Sequence, residues 1–542
     1  MNLKDSNFLT FVVLFPHFRL LSFAFRPQFF VMLRSIVRAL LLPGLLIATG
    51  YGQAPNPTTP STANANEKPF TLEDAVGLAL QKNFDLQLQS FNVDNARDTI
   101  AIQEAAFDPT LTASARRTLN QQATNTSRLD DLQGAPAREG TRTNTTTLSV
   151  GAALPRIPAT NGTVSVTTNV SRSSTTSSNA LVNPNYGNGI SANLNQPLLA
   201  GAGRHAATAA LQRAKLGLNI ATINYKSRVL AVIADTENAY FNLVAARETL
   251  RIRQLTHEYN RRLLEENQAR RTTGVATDLD VLSADYGVAN ARRGIIQAEQ
   301  TVRDAEDRLL NLINMPNFDV RVGPVSFDEY REGPPSFASS YKRARDYYPD
   351  TLSTQETIKQ LQLDLETARR NQLPDLDLNA VLGYNARATD ESYFRAMRNL
   401  PDEPGNNWTI GLNYSMPWGR HAEKARFRTA QTNLARVTMQ LEQLEQSLMV
   451  NVRSSVRAVE TQLAAVEIAA KATELAVRQY DQQKARYDAG LSTSRLVLLA
   501  QDDVENARFQ ELTARLQLRR AVAELSRLEG SSIERFRVQM PY

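Results

Sequence analysis

The side chains with the strongest claim to chemistry are the histidines. There are four in 542 residues, and two of them share one repeated tetrapeptide, Gly203-Arg204-His205-Ala206 and Gly419-Arg420-His421-Ala422. An imidazole can bind a metal or move a proton near neutral pH, so a repeated histidine could mean a repeated site. A zinc site, however, needs three or four His, Cys or carboxylate ligands at short or helical spacing. The chain has no cysteine, and neither histidine has a partner ligand at helical spacing. No metal or cofactor is therefore expected. His257 is a solitary histidine in a helical stretch. Glu73 and Asp74 are first-turn acids favoured by the helix dipole rather than a general acid and base. No set of polar groups converges on a pocket, so the chain does not read as an enzyme.

The elements that carry these residues follow from composition and pattern. The net charge of +6 suggests nucleic acid until the N-terminus is set aside. From Met32 the chain has a basic segment (Arg34, Arg38), an apolar segment (Ala39 to Ile47) and a small-residue cleavage site at Gly52-Gln53-Ala54. That is the form of a secretory signal peptide, with residues 1–31 as an upstream extension or, by their Phe-rich runs, a lengthened membrane anchor. Residues 1–54 hold five basic side chains and one acid, leaving 56 basic against 54 acidic residues. The remaining charges alternate along helices instead of clustering, so nucleic acid is not an expected partner. Past the signal no apolar run reaches the ~18 residues of a membrane-spanning helix. Insertion into a membrane would have to be as a β-barrel.

Residues 55–69 read as a polar linker rich in Pro, Thr and Asn. A first repeat over 70–316 begins at Thr71, placed to cap a helix with Asp74 three residues on. Between 110 and 197 the texture changes to Thr, Ser, Asn and Gly, with alternation through Leu148, Val150, Ala152 and Leu154, through Val164, Val166 and Val170, and through Ile190, Ala192 and Leu194. Period two predicts strands, with Asn161-Gly162 as a turn and 121–142 as an exposed loop. Helix returns from 198 to 315. A connector spans 317–335, and a second repeat spans 336–530, followed by a tail over 531–542. In the second repeat, Leu376 to Val381 and Trp408 to Met416 alternate, the latter with Trp408, Ile410, Leu412, Tyr414 and Met416 on one face. Such a face suits lipid, or the half-buried side of a soluble sandwich. Residues 421–489 lack Gly and Pro and space their apolar residues by three and four, which predicts the longest helix, with a coiled-coil seam.

The two tetrapeptides stand 216 residues apart, and that offset aligns Gly274 with Gly490, Thr277 with Thr493, Val281-Leu282 with Val497-Leu498, and Asn290-Ala291-Arg292 with Asn506-Ala507-Arg508. The chain is a duplication, each half ending in a long helical hairpin. Gly274 and Gly490 suit the left-handed end of a helix, and Thr277 and Thr493 suit the cap of the next. About two clear strands per half give four per chain, and closed membrane barrels need at least about eight. Several chains must then share one barrel, with the hairpin near 147–170 either adding strands or lying outside it.

This combination resembles the TolC-like outer membrane efflux protein family from about Phe70 to Gly530. The resemblance rests on Asn195-Gln196-Pro197-Leu198-Leu199, on Tyr414-Ser415-Met416-Pro417-Trp418-Gly419-Arg420, and on the two tips, Arg271 to Leu282 and Arg486 to Leu498. It implies a mixed α/β membrane protein, a duplicated unit of coiled-coil helices plus strands that contribute to a shared trimeric β-barrel of twelve strands and a periplasmic helical tunnel. It further implies a homotrimer in outer-membrane lipid of a Gram-negative cell. The trimer would serve as exit duct for a periplasmic adaptor and an inner-membrane RND or ABC transporter, with no cofactor. In such relatives side-chain links between tip hairpins close the entrance. Asp280 and Tyr487 match an aspartate and its tyrosine partner, whereas Ser492 replaces an arginine, and Leu496 and Leu499 replace two aspartates of an acidic ring. An apolar constriction is implied instead. The tip turns Gly274, Val275, Thr277, Gly490, Leu491 and Thr493 would meet the adaptor. A periplasmic coiled-coil scaffold without a pore would also explain the signal and the hairpins, but it leaves the Trp408 strand without a purpose.

Overall fold

Thr71 caps the first described helix as the spacing predicts. Its hydroxyl accepts the Asp74 N–H at 3.2 Å while the Asp74 carboxylate accepts the Thr71 N–H at 3.3 Å, a reciprocal capping box. Helices α1 (Leu72–Lys82) and α2 (Phe84–Glu104) follow. The computed structural model describes residues 70–122, 140–177, 180–315, 322–327, 333–388 and 405–540, all within one unit, Asn66–Tyr542. The predicted signal peptide and linker, and most of the predicted loop after Gln121, lie outside the described residues.

Four strands come next, β1 (Thr110–Gln121), β2 (Arg142–Leu154), β3 (Thr163–Thr175) and β4 (Asn185–Pro197). Helix α3 (Gly203–Thr272) and helix α4 (Asp278–Leu312) complete the first half. The second half runs α5 (Phe337–Tyr347), α6 (Pro349–Arg370), β5 (Asp375–Ala388), β6 (Gly405–Ser415), α7 (His421–Asp488) and α8 (Ser494–Glu529), closed by α9 (Ser531–Arg535). The 70 residues of α3 exceed the 68 of α7, so the longest helix is in the first half and not at 421–489. Each is about 100 Å long at ~1.5 Å per residue. Among the described residues no helix is long and apolar enough to cross a membrane.

The two halves superimpose in sequence with two different offsets. The long helices and their tips repeat at 216, but α1 and α2 begin at Leu72 and Phe84, and α5 and α6 begin at Phe337 and Pro349, an offset of 265. The first half therefore holds 49 more residues between its short and long helices, and these supply two further strands. Among the described residues there are six strands, not four. β1 and β4 correspond by connection to β5 and β6, and the β2–β3 hairpin is inserted between them.

All six form one antiparallel sheet in chain order. Its register places Leu111, Ala152, Val166, Ala192, Leu382 and Trp408 on one face, and Thr112, Gly151, Thr167, Ser191, Gly383 and Asn407 on the other. The alternation read in the sequence is thus a division between an apolar and a small polar face.

The helices pack in pairs. α3 lies along α4 and α2, α7 lies along α8, and α6 touches both long helices. One core joins Val232, Tyr240 and Leu243 of α3 to Ala75 and Ala79 of α1 and to Leu309 of α4; the other joins Leu448, Val456 and Val459 of α7 to Ala344 of α5 and Leu525 of α8. Val232, Tyr240, Leu243 and Leu309 shifted by 216 are Leu448, Val456, Val459 and Leu525, so the same seam positions are buried twice. Each such side chain stabilises the fold by ~1.5–3 kcal/mol. The segment expected to be a tail is part of this core, since Ile533, Phe536, Val538 and Met540 pack on the first cluster together with Val322, Val325 and Phe327 of the connector.

Candidate functional site

The repeated Gly-Arg-His-Ala is a chain-turning device. Gly203 and Gly419 take φ of 86° and 85°, the left-handed region that a Cβ disfavours, at the step from strand to helix. His205 contacts the Thr367 hydroxyl through Nε2 at 3.2 Å, and His421 is the first residue of α7. No group of three potential metal ligands occurs among the described residues.

The polar side chains converge at the opposite ends of the long helices. Each hairpin turns in the same way. Gly274 and Gly490 adopt φ of 78° and 77°, and the next N–H, of Val275 or Leu491, reaches back to the carbonyl of Arg270 or Arg486 at 2.9 and 2.8 Å. This is a six-to-one closure with glycine just past the helix end. Beyond the first turn, Thr277 caps α4. Its hydroxyl accepts the Asp280 N–H at 3.3 Å, and Asp280 Oδ2 accepts the Thr277 N–H at 3.0 Å and hydroxyl at 2.7 Å. Thr493, expected to cap α8 in the same way, makes no side-chain cap bond. The residue three positions on is Leu496, which cannot complete the reciprocal pair.

Hydrogen bonds then tie one hairpin to the other. The buried Ser494 hydroxyl donates to Asp280 Oδ1 at 2.7 Å, and the Tyr487 hydroxyl donates to Asn267 Oδ1 at 2.5 Å. Asn267 in turn donates to the Asp280 carbonyl at 3.3 Å. Asp280 and Tyr487, matched by resemblance as direct partners, are thus joined through Asn267, because Thr277 and Ser494 already occupy both carboxylate oxygens. The Thr277 hydroxyl first, and the Ser494 hydroxyl next, hold the Asp280 carboxyl below the usual aspartate range.

Charges surround this link. The Arg270 guanidinium stacks on the Tyr487 ring at 4.0 Å and donates to the Tyr487 carbonyl at 3.2 Å. Lys484 bridges Glu266 of the first hairpin and Asp488 of its own at 2.5 and 2.8 Å. Burial raises the Tyr487 hydroxyl's pKa, so it stays a donor. Leu263, Tyr487 and Val497 form a small apolar core beneath.

Sequence reasoning placed Asp280 and Tyr487 here but missed Ser494, Asn267, Arg270 and Lys484. The signal for Ser494 was available, since it occupies the place of Asp278 in the other repeat. Ser492 sits inside the second hairpin and accepts from Gln483 at 2.6 Å.

Outside this interlock the tips expose apolar side chains beside the Arg271–Asp278 ion pair. Val275 and Leu491 are 77% and 72% exposed, Leu279 and Leu282 are exposed, and so are Leu496 and Leu499. Exposed apolar residues gathered at one end of a long rod mark a surface for a partner or a narrow passage.

Residues 155–315 and 341–531 match the family of outer membrane efflux proteins. Among curated proteins the chain is 24% identical over 303 residues to the pyoverdine export outer membrane protein OpmQ of Pseudomonas aeruginosa, covering 54% of this chain and 61% of that one. It is 21% identical over 318 residues to outer membrane protein TolC of Escherichia coli, covering 57% and 64%. The matched chain spans less than two thirds of either relative. Among solved structures, the Campylobacter jejuni CmeC outer membrane channel shares the fold, with a TM-score of 0.63 at 18% identity over 85% of both chains. So does the open state of the Neisseria gonorrhoeae MtrE outer membrane channel, at 0.60 and 19% over 85% and 88%.

Proposed function

Because the chain belongs to the outer membrane efflux protein family, whose members lie in the Gram-negative outer membrane and reach into the periplasm, we propose that it is the exit duct of a tripartite pump or type I secretion system. TolC-like channels are homotrimers that work with adaptors and inner-membrane transporters, and three copies of this chain would form one duct. The observation that carries the reading is the continuity of two surfaces. A sheet with a lipid-type face, Trp408, Ile410 and Leu412 being exposed on β6, runs directly into helices about 100 Å long. A scaffold without a pore has no use for that face.

Substrate would enter at the tips and leave through the barrel. The exposed turns around Gly274, Val275, Thr277, Gly490, Leu491 and Thr493 would meet the adaptor. The bonds from Ser494 to Asp280 and from Tyr487 to Asn267 hold the hairpins of one copy together and so favour the closed entrance, and Leu496 and Leu499 make its narrowest level apolar. Heat-modifiable migration of a trimer from outer-membrane fractions is the expected result; a freely soluble monomer would refute the proposal.

A further inference from the structure

We infer that the barrel of this duct has eighteen strands rather than twelve, six from each of three copies, closed by pairing β1 of one copy with β6 of the next. The inference rests on the trimeric duct proposed above and adds the composition of its wall.

The inserted hairpin has the chemistry of barrel wall. On β2 and β3 the face carrying Leu148, Val150, Val164 and Val166 continues the apolar face of β5 and β6, and Thr147, Ser149, Ser165 and Thr167 continue the polar one. A plug or a surface flap would have no reason to repeat that division. Its turn is also fastened at the strand-to-helix junction. Asn161 donates to the Gly201 carbonyl at 2.7 Å, Gly203 N–H donates to the Thr160 carbonyl at 3.1 Å, and Gln196 donates to the same carbonyl at 3.1 Å.

The two outer strands are unpaired edges of matched length, twelve residues in β1 and eleven in β6. Every residue of β1 is exposed. In a membrane such an edge must pair, because no water is available to satisfy its N–H and C=O groups.

The register shows how the edges meet. The row through Thr110 passes Ala153, Ser165, Asn193 and Val381 and arrives at Thr409, six residues before Ser415 at the end of β6. The strand ends therefore step by about one residue per strand. At ~3.3 Å per residue and ~4.8 Å between strands, that stagger tilts the strands by ~35°, as closed membrane barrels require. Continuing the stagger sets Thr110 of one copy opposite Ser415 of the next. Faces are then conserved across the joint, with Leu111 opposite Tyr414, Ala113 opposite Leu412 and Thr112 opposite Asn413.

Eighteen strands at this tilt enclose a cylinder ~34 Å across, against ~22 Å for twelve. Its perimeter of ~105 Å equals that of twelve helices spaced ~9 Å apart. The four strands of each copy that adjoin helices, β1, β4, β5 and β6, can then pass into the tunnel without the wall tapering.

The chain has no cysteine, which makes the joint directly testable. Thr112→Cys with Asn413→Cys, oxidised in outer membranes, should move most of the monomer to a covalent trimer on denaturing gels, whereas Thr112→Cys with Thr409→Cys should not. Single spin labels at Val164, Val166 and Val170 should be several-fold more accessible to oxygen, and those at Ser165, Thr167 and Asn169 to a water-soluble nickel chelate. A native mass of three copies without that alternation would overturn the eighteen-stranded wall and leave the duct standing. A native mass of one copy would overturn both.

Discussion

Replacing Ser494 by alanine separates the clasp between hairpins from the cap beneath it. The Ser494 hydroxyl, on a residue only 2% exposed, makes one hydrogen bond, to Asp280 Oδ1 at 2.7 Å. Asp280 keeps its bonds to Thr277 through Oδ2, so α4 remains capped. A hydrogen bond to a charged group contributes ~1.5–3 kcal/mol. Asp280 lies near the tip surface and can recruit water, so the lower end applies, about 1.5 kcal/mol per copy. Three clasps that release together would shift the opening equilibrium by ~4.5 kcal/mol, or about three orders of magnitude, since ~1.4 kcal/mol is tenfold. Open probability in planar bilayers measures this directly.

The same bond sets a pH dependence. Asp280 has a depressed pKa in the folded tip, so its contribution is complete above the ordinary aspartate pKa and is lost as pH falls through the depressed value. Acid should open the wild-type duct, and Asp280→Asn should flatten that response. Thr277→Ala, by contrast, should cost α4 ~0.5–2 kcal/mol while preserving the clasp. If Ser494→Ala and Asp280→Asn both leave open probability unchanged, Asp280 is a helix cap and the gating argument fails.

Glu237, 2% exposed between Arg535 and Arg519, has its pKa pushed up to about 7 by burial, which outweighs both arginines. A raised carboxyl stabilises the fold below its unfolded value near 4.5 and loses that stabilisation as pH rises through about 7. Glu237→Gln should therefore remove up to about 3 kcal/mol of pH-dependent stability across that window, read from denaturant midpoints at pH 5 and pH 8. Gly274→Ala and Gly490→Ala meet no neighbouring atoms, so each should cost only the left-handed backbone strain, ~1–2 kcal/mol, seen as faster amide exchange confined to the tips. Leu496→Asp with Leu499→Asp should convert the proposed apolar constriction into a charged one, and reversal potentials in a salt gradient should move toward cation selectivity.

The duplication, the hairpin tips and five of the six strands were legible in the sequence because each follows one period or one turn chemistry. β1 was not. Its apolar face consists of Leu111, Ala113, Ala115 and Leu119, interrupted by Arg117, and alanine and arginine do not mark a lipid-facing strand. At the 216 offset alone, the two halves also hide the inserted hairpin. The 265 offset of the short helices, visible where Ala79 and Ala344 occupy equivalent buried positions, exposes the inserted hairpin. At the tip, the resemblance led to Asp280 and Tyr487 but paired them directly. Which groups bond was decided by reach across two hairpins, and Asn267 and Ser494 entered through packing that no local pattern encodes.

The width of the wall determines where the duct can discriminate. A barrel of the proposed eighteen strands, lined on the polar face by Gly151, Gly187, Gly189, Gly383 and Gly411 among serines, threonines and asparagines, presents little bulk to a passing solute, and the charges on that face, Arg116, Asp375, Asp377 and Arg387, line a wide bore. Field strength and dewetting both need a narrow bore, and the helices supply one only where the hairpins lean together. At that end Arg270, Lys484, Glu266 and Asp488 are committed to one another and Arg271 to Asp278, and Leu496 and Leu499 are exposed. In the proposed duct, control of passage falls on whether the hairpins stand apart, which the bonds of Ser494 to Asp280 and Tyr487 to Asn267 oppose together with the Lys484–Glu266 and Arg270–Asp488 pairs, rather than on what lines the wall.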